Sequence, residues 1–564
     1  MQSKIQPWAT GLRKARKALK QEQKQFLLIV ALIFLLSFSI RIYYLNDGLF
    51  HYDDVVLAKG MEQMFQEGNF VPGTNIRPGS VLLNYLFYLP YASLTGNTAE
   101  RIPLLTGAIF SSLAIVLFAF LVWGWFQNRF LTYTATLFFS FSPLYLSQST
   151  MGKEHSMTIF FLLLSLLFLA LYGRKHHWGY LAVASLTFVF AVSIRESSLA
   201  LAPLFLLYGL WLVVQASRYV PKNRTPGARE SMLLSHVAAL LLPFLLSLSL
   251  LLWWYLWGIL YNTLFTLRSA AYNPHGTVAF LHPFSNILLY GLVDLIVSLT
   301  FFGWFLSIFG MLLSFFVFKK QKATILFLLL WAFHFFYFSN TSGYTSRFLI
   351  DILPPFIIFM TLPLSYLYRK RKALALFCVI LILGWMIVTA YPLLSYRKDY
   401  NGIKAFSLFV GNQTEEQAVV LAMEDARFLE YYGSRATLSH PLYGTPEQYI
   451  PWLTELYTLA KEKPVYAIAV KEFNRTALPN YDNKVYNGSL YRLLEHLFIF
   501  EEIGSLVVED YHNSALRFQQ HTYYLMKVHP KPLPINPVVY DKDNRIMVMD
   551  MNPYLASREN SLVS

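Results

Sequence analysis

From residue 26 to about residue 394, long apolar runs alternate with short polar connections, and this pattern predicts a bundle of membrane-spanning helices. Runs long enough to cross a hydrocarbon core of roughly 30 Å fall at residues 26–44, 102–126, 130–148, 155–172, 178–194, 197–215, 232–260, 287–318, 323–338, 348–367 and 373–394. Ser80 to Leu94 is different. It is interrupted by Asn84 and Pro90 and carries Tyr85, Phe87, Tyr88 and Tyr91, which favours a helix lying at the interface. From about Tyr396 the pattern changes to charged and mixed. Strand-like Ala418–Ala422, a helix over Glu424–Tyr432, a helix over Pro446–Lys461, the run Pro464–Val470, a helix from Tyr491 and strand-like Thr522–Val528 predict a small α/β domain.

Basic residues orient the bundle. Arg13 to Lys24, Arg174-Lys175, the Arg218/Lys222/Arg224/Arg229 loop, Lys319-Lys320-Lys322 and Arg369 to Lys372 share one side of the membrane only if Ser80–Leu94 does not span. The positive-inside rule then makes that side cytoplasmic. The expected architecture is an all-α polytopic domain of about eleven transmembrane helices, with a C-terminal extracytoplasmic α/β domain. Residues 1–25 form a basic cytoplasmic N-terminus, 26–395 the membrane domain with a first outer loop at 46–101, and 396–564 the outer domain.

Composition agrees and excludes other classes. A chain of 564 residues that is 55% hydrophobic and only 14% charged, with mean hydropathy +0.42, is not a soluble globule. Phe26–Tyr44 is long enough to span and no A-x-A-like site follows it, so it reads as a retained helix rather than a cleaved signal. The single cysteine, Cys378, permits neither an intrachain disulfide nor a cysteine metal cluster. The net charge of +14 sits in clusters between spans, as topology signals do, so nucleic acid is not an expected partner.

This topology sends Asp53, Asp54, Arg77, Arg101, Lys153-Glu154-His155, Arg195-Glu196, the loop Tyr261–Asn286 and Tyr344-Thr345-Ser346-Arg347 to the outer face. Lys153-Glu154 and Arg195-Glu196 occupy very short connections, where side chains stay close to the bundle. In the first outer loop, Gly68, Pro72-Gly73 and Pro78-Gly79 break the chain, and Leu57, Met61, Met64 and Phe65 recur at helical spacing. An amphipathic helix therefore starts at the aspartates, with Asp53 as its cap and Asp54 complementing the helix dipole. A capped carboxylate is also rigid and ionised, as a general base must be. His51, His155, His275 and His282 can approach the outer face, but no two have zinc-ligand spacing. Asp294 and His334 fall inside spans and invite a proton-relay reading, against which polar contacts within the bundle are the favoured explanation.

The ordered set His51-Tyr52-Asp53-Asp54, Arg77-Pro78-Gly79, Glu100-Arg101-Ile102-Pro103 and Ser346-Arg347-Phe348 followed by Leu353-Pro354-Pro355 resembles the C-type membrane glycosyltransferases (GT-C). The resemblance is to the protein O-mannosyltransferase and lipid A aminoarabinose transferase branch, over about residues 26–395. Asp54 stands where many relatives have Glu, and Arg77-Pro78-Gly79 replaces the more usual Pro-Pro. The resemblance implies inverting transfer of a sugar from a polyprenyl-phosphate donor to a lipid, protein or glycan acceptor outside the cytoplasm, with the enzyme in the cytoplasmic membrane. It makes Asp53 the base, beside Asp54. Arg101 comes first and Arg347 second as cations for the departing phosphate, with Lys153, Arg77 and Arg195 behind them. Glu154, His51 and Tyr344 are candidates for acceptor or metal binding, and a divalent cation is an open expectation. Each cation also has a plainer reading as an interfacial snorkelling residue or an ion pair with its neighbour, and Glu154 as a partner of Lys153 or a helix-start charge. The alternatives are a transporter or flippase for lipid-linked glycans, and a surface-glycan polymerase or ligase. No internal repeat supports the transporter, and the ionisable groups gather at one face rather than at mid-membrane.

Overall fold

The computed structural model describes residues 6–50, 52–68, 77–95, 98–152, 154–218, 228–271, 295–317, 321–341, 346–422, 426–439, 446–470, 494, 496–511, 518–533, 538–542 and 545–549. It divides into two compact units. The first comprises Met1–Asn46 and Met61–Lys398, and the second Asp47–Gly60 and Asp399–Ser564.

The first unit is helical: α1 (Gln6–Tyr43), the second half of α2 (Tyr52–Glu67), α3 (Pro78–Thr95), α4 (Arg101–Phe126), α5 (Arg129–Phe141), α6 (Pro143–Ser149), α7 (His155–Lys175), α8 (Trp178–Ile194), α9 (Ala202–Arg218), α10 (Ala228–Ala271), α11 (Phe301–Val317), α12 (Lys322–Thr341), α13 (Leu353–Lys370) and α14 (Lys372–Asp399). Two 3-10 turns, Glu196–Leu201 and Ser346–Ile352, lead into α9 and α13. Among the described residues seven helical segments are long and apolar enough to cross a membrane, and Trp178–Ile194, Phe301–Val317 and Lys322–Phe333 are shorter apolar helices. The chain is a multi-pass membrane protein.

Differences from the expected spans have local causes. The span expected at 130–148 is broken at Ser142, whose backbone is extended, because Pro143 disfavours helix in the residue before it and cannot donate a helical N–H. The Ser140 carbonyl stranded at this break accepts from Arg41 Nη2 at 3.1 Å, which ties the end of α1 to α5. The spans expected at 197–215 and 348–367 open as 3-10 turns. The helix α3 is not among the segments long and apolar enough to cross. It buries Ser80, Asn84, Tyr88 and Ala92 at four-residue spacing while Leu82, Leu86 and Leu89 stay exposed.

Burial sorts centre from rim. The segment Leu349–Lys370 is 94% buried in its most apolar stretch, whereas Glu230–Trp253 is 17% buried although more apolar. Exposed leucines such as Leu28, Leu246 and Leu250 have no protein to pack against, so lipid chains are their solvent.

The second unit is built on a five-stranded mixed sheet in the order β2 (Ala436–Ser439), β1 (Val419–Ala422), β3 (Val465–Val470), β5 (Phe518–Pro530), β4 (Phe498–Tyr511). Strands β1, β2 and β3 are mutually parallel, and β5 runs antiparallel to β3 and β4. Alternation makes two cores. Leu421, Val465 and Ala467 pack with Trp452, Leu453 and Leu456 of α17 (Pro446–Glu462). Val420, Tyr466 and Ile468 pack with Phe406 and Val410 of α15 (Gly402–Gln413) and Leu429 of α16 (Ala426–Tyr431). A separate hairpin joins β6 (Val538–Lys542) and β7 (Arg545–Met549). Two corrections arise here. Strand β2 was not anticipated, and neither was β4: Leu494, His496 and Leu497 are helical, as expected from Tyr491 on, but from Phe498 the chain is a strand in long antiparallel register with β5.

Candidate active site

In the second unit, α2 begins at Tyr52, so Asp53 and Asp54 lie in its first turn, where the helix dipole favours negative charge. The cap expected at Asp53 does not fall there, because the helix already includes Tyr52; residue 51 lies outside the described residues. Asp53 is half-buried and Asp54 is buried, 2% exposed, beside Val55 and Ala58. The chain on both sides of the pair is fastened to residues far along the sequence. Asn401 Nδ2 donates to the Leu49 carbonyl at 2.9 Å, and the Leu49 N–H donates to the Tyr432 hydroxyl at 2.9 Å. Lys404 Nζ lies 3.3 Å from Asp47 Oδ1. Beyond the aspartates, Lys59 Nζ pairs with Glu430 at 3.0 Å, and Glu430 also accepts from the Thr437 hydroxyl at 2.7 Å. Asn401 serves twice, because its Oδ1 caps α15 by accepting from the Lys404 N–H at 3.1 Å.

In the first unit, ionisable groups from four connections converge. Arg77 Nη1 donates to Glu154 Oε1 at 2.6 Å, while its Nε and Nη2 reach the two oxygens of Glu196 at 3.3 Å each. Close backbone packing builds this fork. Pro78 opens α3, where its missing N–H is not needed. A Cβ on Gly79 would collide with Ser193 Oγ and lie 3.0 Å from the backbone nitrogen of Ile194, so glycine lets α3 dock on the end of α8 just before Arg195-Glu196. Glu154 follows a turn in which Gly152 adopts φ +84°, its Cβ position 3.0 Å from the carbonyl carbon of Pro103. That approach seats the turn on the start of α4, which Arg101 opens as an exposed residue.

Arg195 is buried, 3% exposed, in the extended link between α8 and the Glu196–Leu201 turn. Its Nη1 lies 2.8 Å from Nε2 of His155, the first residue of α7. Burial lowers the Arg195 pKa, and the fields of Asp351 and Glu154 oppose that shift. Asp351, in the Ser346–Ile352 turn, is fully buried.

The sequence candidates therefore divide. Arg77, Glu154 and Arg195 share one network in the first unit, whereas Asp53 and Asp54 belong to the second. Arg347 lies in the same 3-10 turn as Asp351, and its side chain is outside the described residues, as are His51, Lys153, Tyr344, His275, His282 and Asp294. Glu154 takes Arg77 as its partner, and Glu196 pairs with Arg77 rather than with its neighbour Arg195. Among the described residues no three His, Cys, Asp or Glu side chains form a metal-holding group. Sequence reasoning missed Asp351, whose signal is a lone carboxylate between Ile350 and Ile352. It also missed Arg41, buried in the last turn of α1 over the Tyr145 ring at 5.4 Å.

No protein-family model matches the chain, and no curated protein matches it. Solved structures do. The oligosaccharyltransferase AglB from Archaeoglobus fulgidus, in complex with an inhibitory peptide and a dolichol-phosphate, superposes with TM-score 0.57 at 14% identity, over 88% of this chain and 74% of that one. ArnT from Cupriavidus metallidurans, bound to undecaprenyl phosphate, superposes with TM-score 0.52 at 12% identity, over 89% of this chain and 97% of that one. Such a likeness across most of each chain, at so low an identity, speaks for the backbone: this chain has the GT-C fold of integral membrane glycosyltransferases.

Proposed function

We propose that the chain is a glycosyltransferase that moves a sugar from a polyprenyl-phosphate donor to an acceptor hydroxyl on the extracytoplasmic face, with inversion at the anomeric carbon. The observation that carries this reading is a half-exposed Asp53 in the first turn of a helix, in a chain of GT-C fold. Support comes from the lipid phosphates bound by AglB and ArnT. In the step, the acceptor oxygen bonds to the anomeric carbon and its proton passes to Asp53. The bond from that carbon to the phosphate oxygen breaks, and the electron pair stays on the phosphate. Arg101 first and Arg347 second, with Lys153, Arg77 and Arg195 behind them, are the cations assigned to that developing charge. Lipid, protein and glycan acceptors all present the required hydroxyl.

The test uses full-length wild type and Asp53→Asn in nanodiscs, a panel of radiolabelled polyprenyl-phosphate sugars, and added membrane glycolipids and proteins. Release of free polyprenyl phosphate from one donor is expected, falling by about 10²–10⁴ in Asp53→Asn while donor binding persists, the range of general-base contributions. Equal turnover by both proteins would make Asp53 a helix-dipole residue alone. Movement of labelled lipid across the bilayer without sugar transfer would turn the reading into a transporter.

A further inference from the structure

One stretch of the second unit grips the segment that carries Asp53 and Asp54 from both sides. The Leu49 N–H donates to the Tyr432 hydroxyl at 2.9 Å, and Lys59 Nζ pairs with Glu430 at 3.0 Å. Leu49 precedes the aspartates and Lys59 follows them, so Tyr431, between Glu430 and Tyr432, is held alongside the start of α2. The Tyr431 ring meets the Tyr432 ring edge to face, with centroids 5.1 Å apart and planes at 83°. Phe428, one helical turn earlier, lies nearly parallel to Tyr432 at 6.5 Å, and Lys404 Nζ is 5.5 Å from the centre of the same ring.

Packing of the sheet does not call for these two tyrosines. From α16 it is Leu429, 1% exposed, that joins Val420 and Ile468. Neither Tyr431 nor Tyr432 is among the residues of the two cores described above, and both are partly exposed. Around the rings, Glu430 accepts hydrogen bonds, while Lys59 and Lys404 donate them. Aromatic faces flanked by both kinds of group match a sugar ring. Its C–H face is apolar and slightly positive, suiting the electron-rich face of a tyrosine, and its rim of hydroxyls both donates and accepts. A serine or threonine side chain offers a hydroxyl but no such face.

We propose that Tyr431 and Tyr432 form the acceptor wall of the site, on which a sugar ring stacks with one hydroxyl turned to Asp53, so that the acceptor is a glycan or the sugar head group of a glycolipid. This rests on the transferase reading above, with Asp53 as the base.

The experiment uses full-length wild type, Tyr431→Ala and Tyr431→Phe in nanodiscs, with the panel of radiolabelled polyprenyl-phosphate sugars. The acceptors are methyl hexosides, dodecyl hexosides with the same head groups, and peptides rich in serine and threonine. Label is expected on a hexoside, with its KM raised roughly ten-fold by Tyr431→Ala while donor KM holds, and most of that loss recovered by Tyr431→Phe, which keeps the ring. Preference for the dodecyl series would assign the sugar to a glycolipid and equal use of both series to a soluble glycan, and the wall is supported either way. Turnover of a donor without label on any hexoside overturns the proposal and leaves the transferase reading standing, label on the peptides then naming a protein acceptor. An unchanged acceptor KM in Tyr431→Ala also overturns it, as does a donor KM that moves equally, which would report a general loss of structure. If Tyr431→Ala does not fold, Tyr431→Leu is read in its place, and failure of both assigns Tyr431 to structure and sinks the idea. Consumption of no donor with any acceptor overturns the transferase reading as well.

Discussion

Arg77 spends both edges of its guanidinium on carboxylates, and Gly79, two residues on, is what permits it. Glu154 is nearly buried, so removing Arg77 takes a 2.6 Å ion pair from a largely desolvated carboxylate. Arg77→Gln is therefore expected to cost roughly 1–3 kcal/mol, read as a lower Tm of the full-length protein in detergent. Gly79→Ala should cost a similar amount, about 1–3 kcal/mol, by forcing α3 off the end of α8, and Arg77→Gln in that background should then cost much less than alone. Additive losses would separate the packing from the fork. At this scale the sequence showed which residues carry charge but not whom they meet. Arg77, Glu154 and Arg195 were each legible as ionisable groups in short connections. The pairing of Arg77 with Glu154 was not, because it depends on backbone approach at Gly79 and Gly152, which no spacing encodes. Asp351 stayed hidden for a related reason: its run reads as apolar span, and burial without donors is visible only once the turn is folded.

Helices of the membrane unit were largely legible, because an apolar run long enough to span has few other fates. What escaped were interruptions, such as Ser142-Pro143, where a single missing N–H divides one expected span into α5 and α6. In the second unit β1, β3, α17 and much of β5 followed from alternation and periodicity. Strand β4 did not, since its state is decided by pairing with β5 rather than by its own residues. The grouping of Asp47–Gly60 with Asp399–Ser564 was equally out of reach, because it rests on hydrogen bonds between residues hundreds of positions apart. Those bonds give an element-scale prediction. Asn401→Ala removes both the α15 cap and the bond to the Leu49 carbonyl, whereas Asn401→Ser keeps the cap alone. If the tether positions α2, both variants lose kcat by about ten-fold, the effect of a misplacement well under 1 Å, while affinity for undecaprenyl phosphate is unchanged. Loss in Asn401→Ala with full activity in Asn401→Ser would assign the residue to capping.

For the whole molecule, acid is the informative stress. Glu415 accepts from the Tyr466 hydroxyl at 2.6 Å and from Lys527 Nζ at 3.2 Å, linking the start of β1 to β3 and β5. The Tyr466 bond first, and Lys527 with it, hold the Glu415 carboxyl below its ordinary pKa. A depressed carboxylate adds stability above its unfolded pKa, and that stability is lost as pH falls through the lower folded value. Tyr466→Phe should therefore lower Tm at neutral pH, with the gap from wild type closing under acid as Glu415 protonates in both proteins. A gap constant down to pH 3 would mean that the tyrosine contributes by packing alone. The join between Leu49 and Asn401 carries a further consequence, for the order in which the protein is made. The aspartates leave the ribosome early, but the asparagine that fastens their segment follows 352 residues later. At about 5–20 residues per second, the nascent chain spends about 20–70 s with its carboxylate helix unfastened. A polypeptide stalled or cut before Asn401 inserts most of its helices yet lacks this tether, which forms only with the last third of the chain emerging.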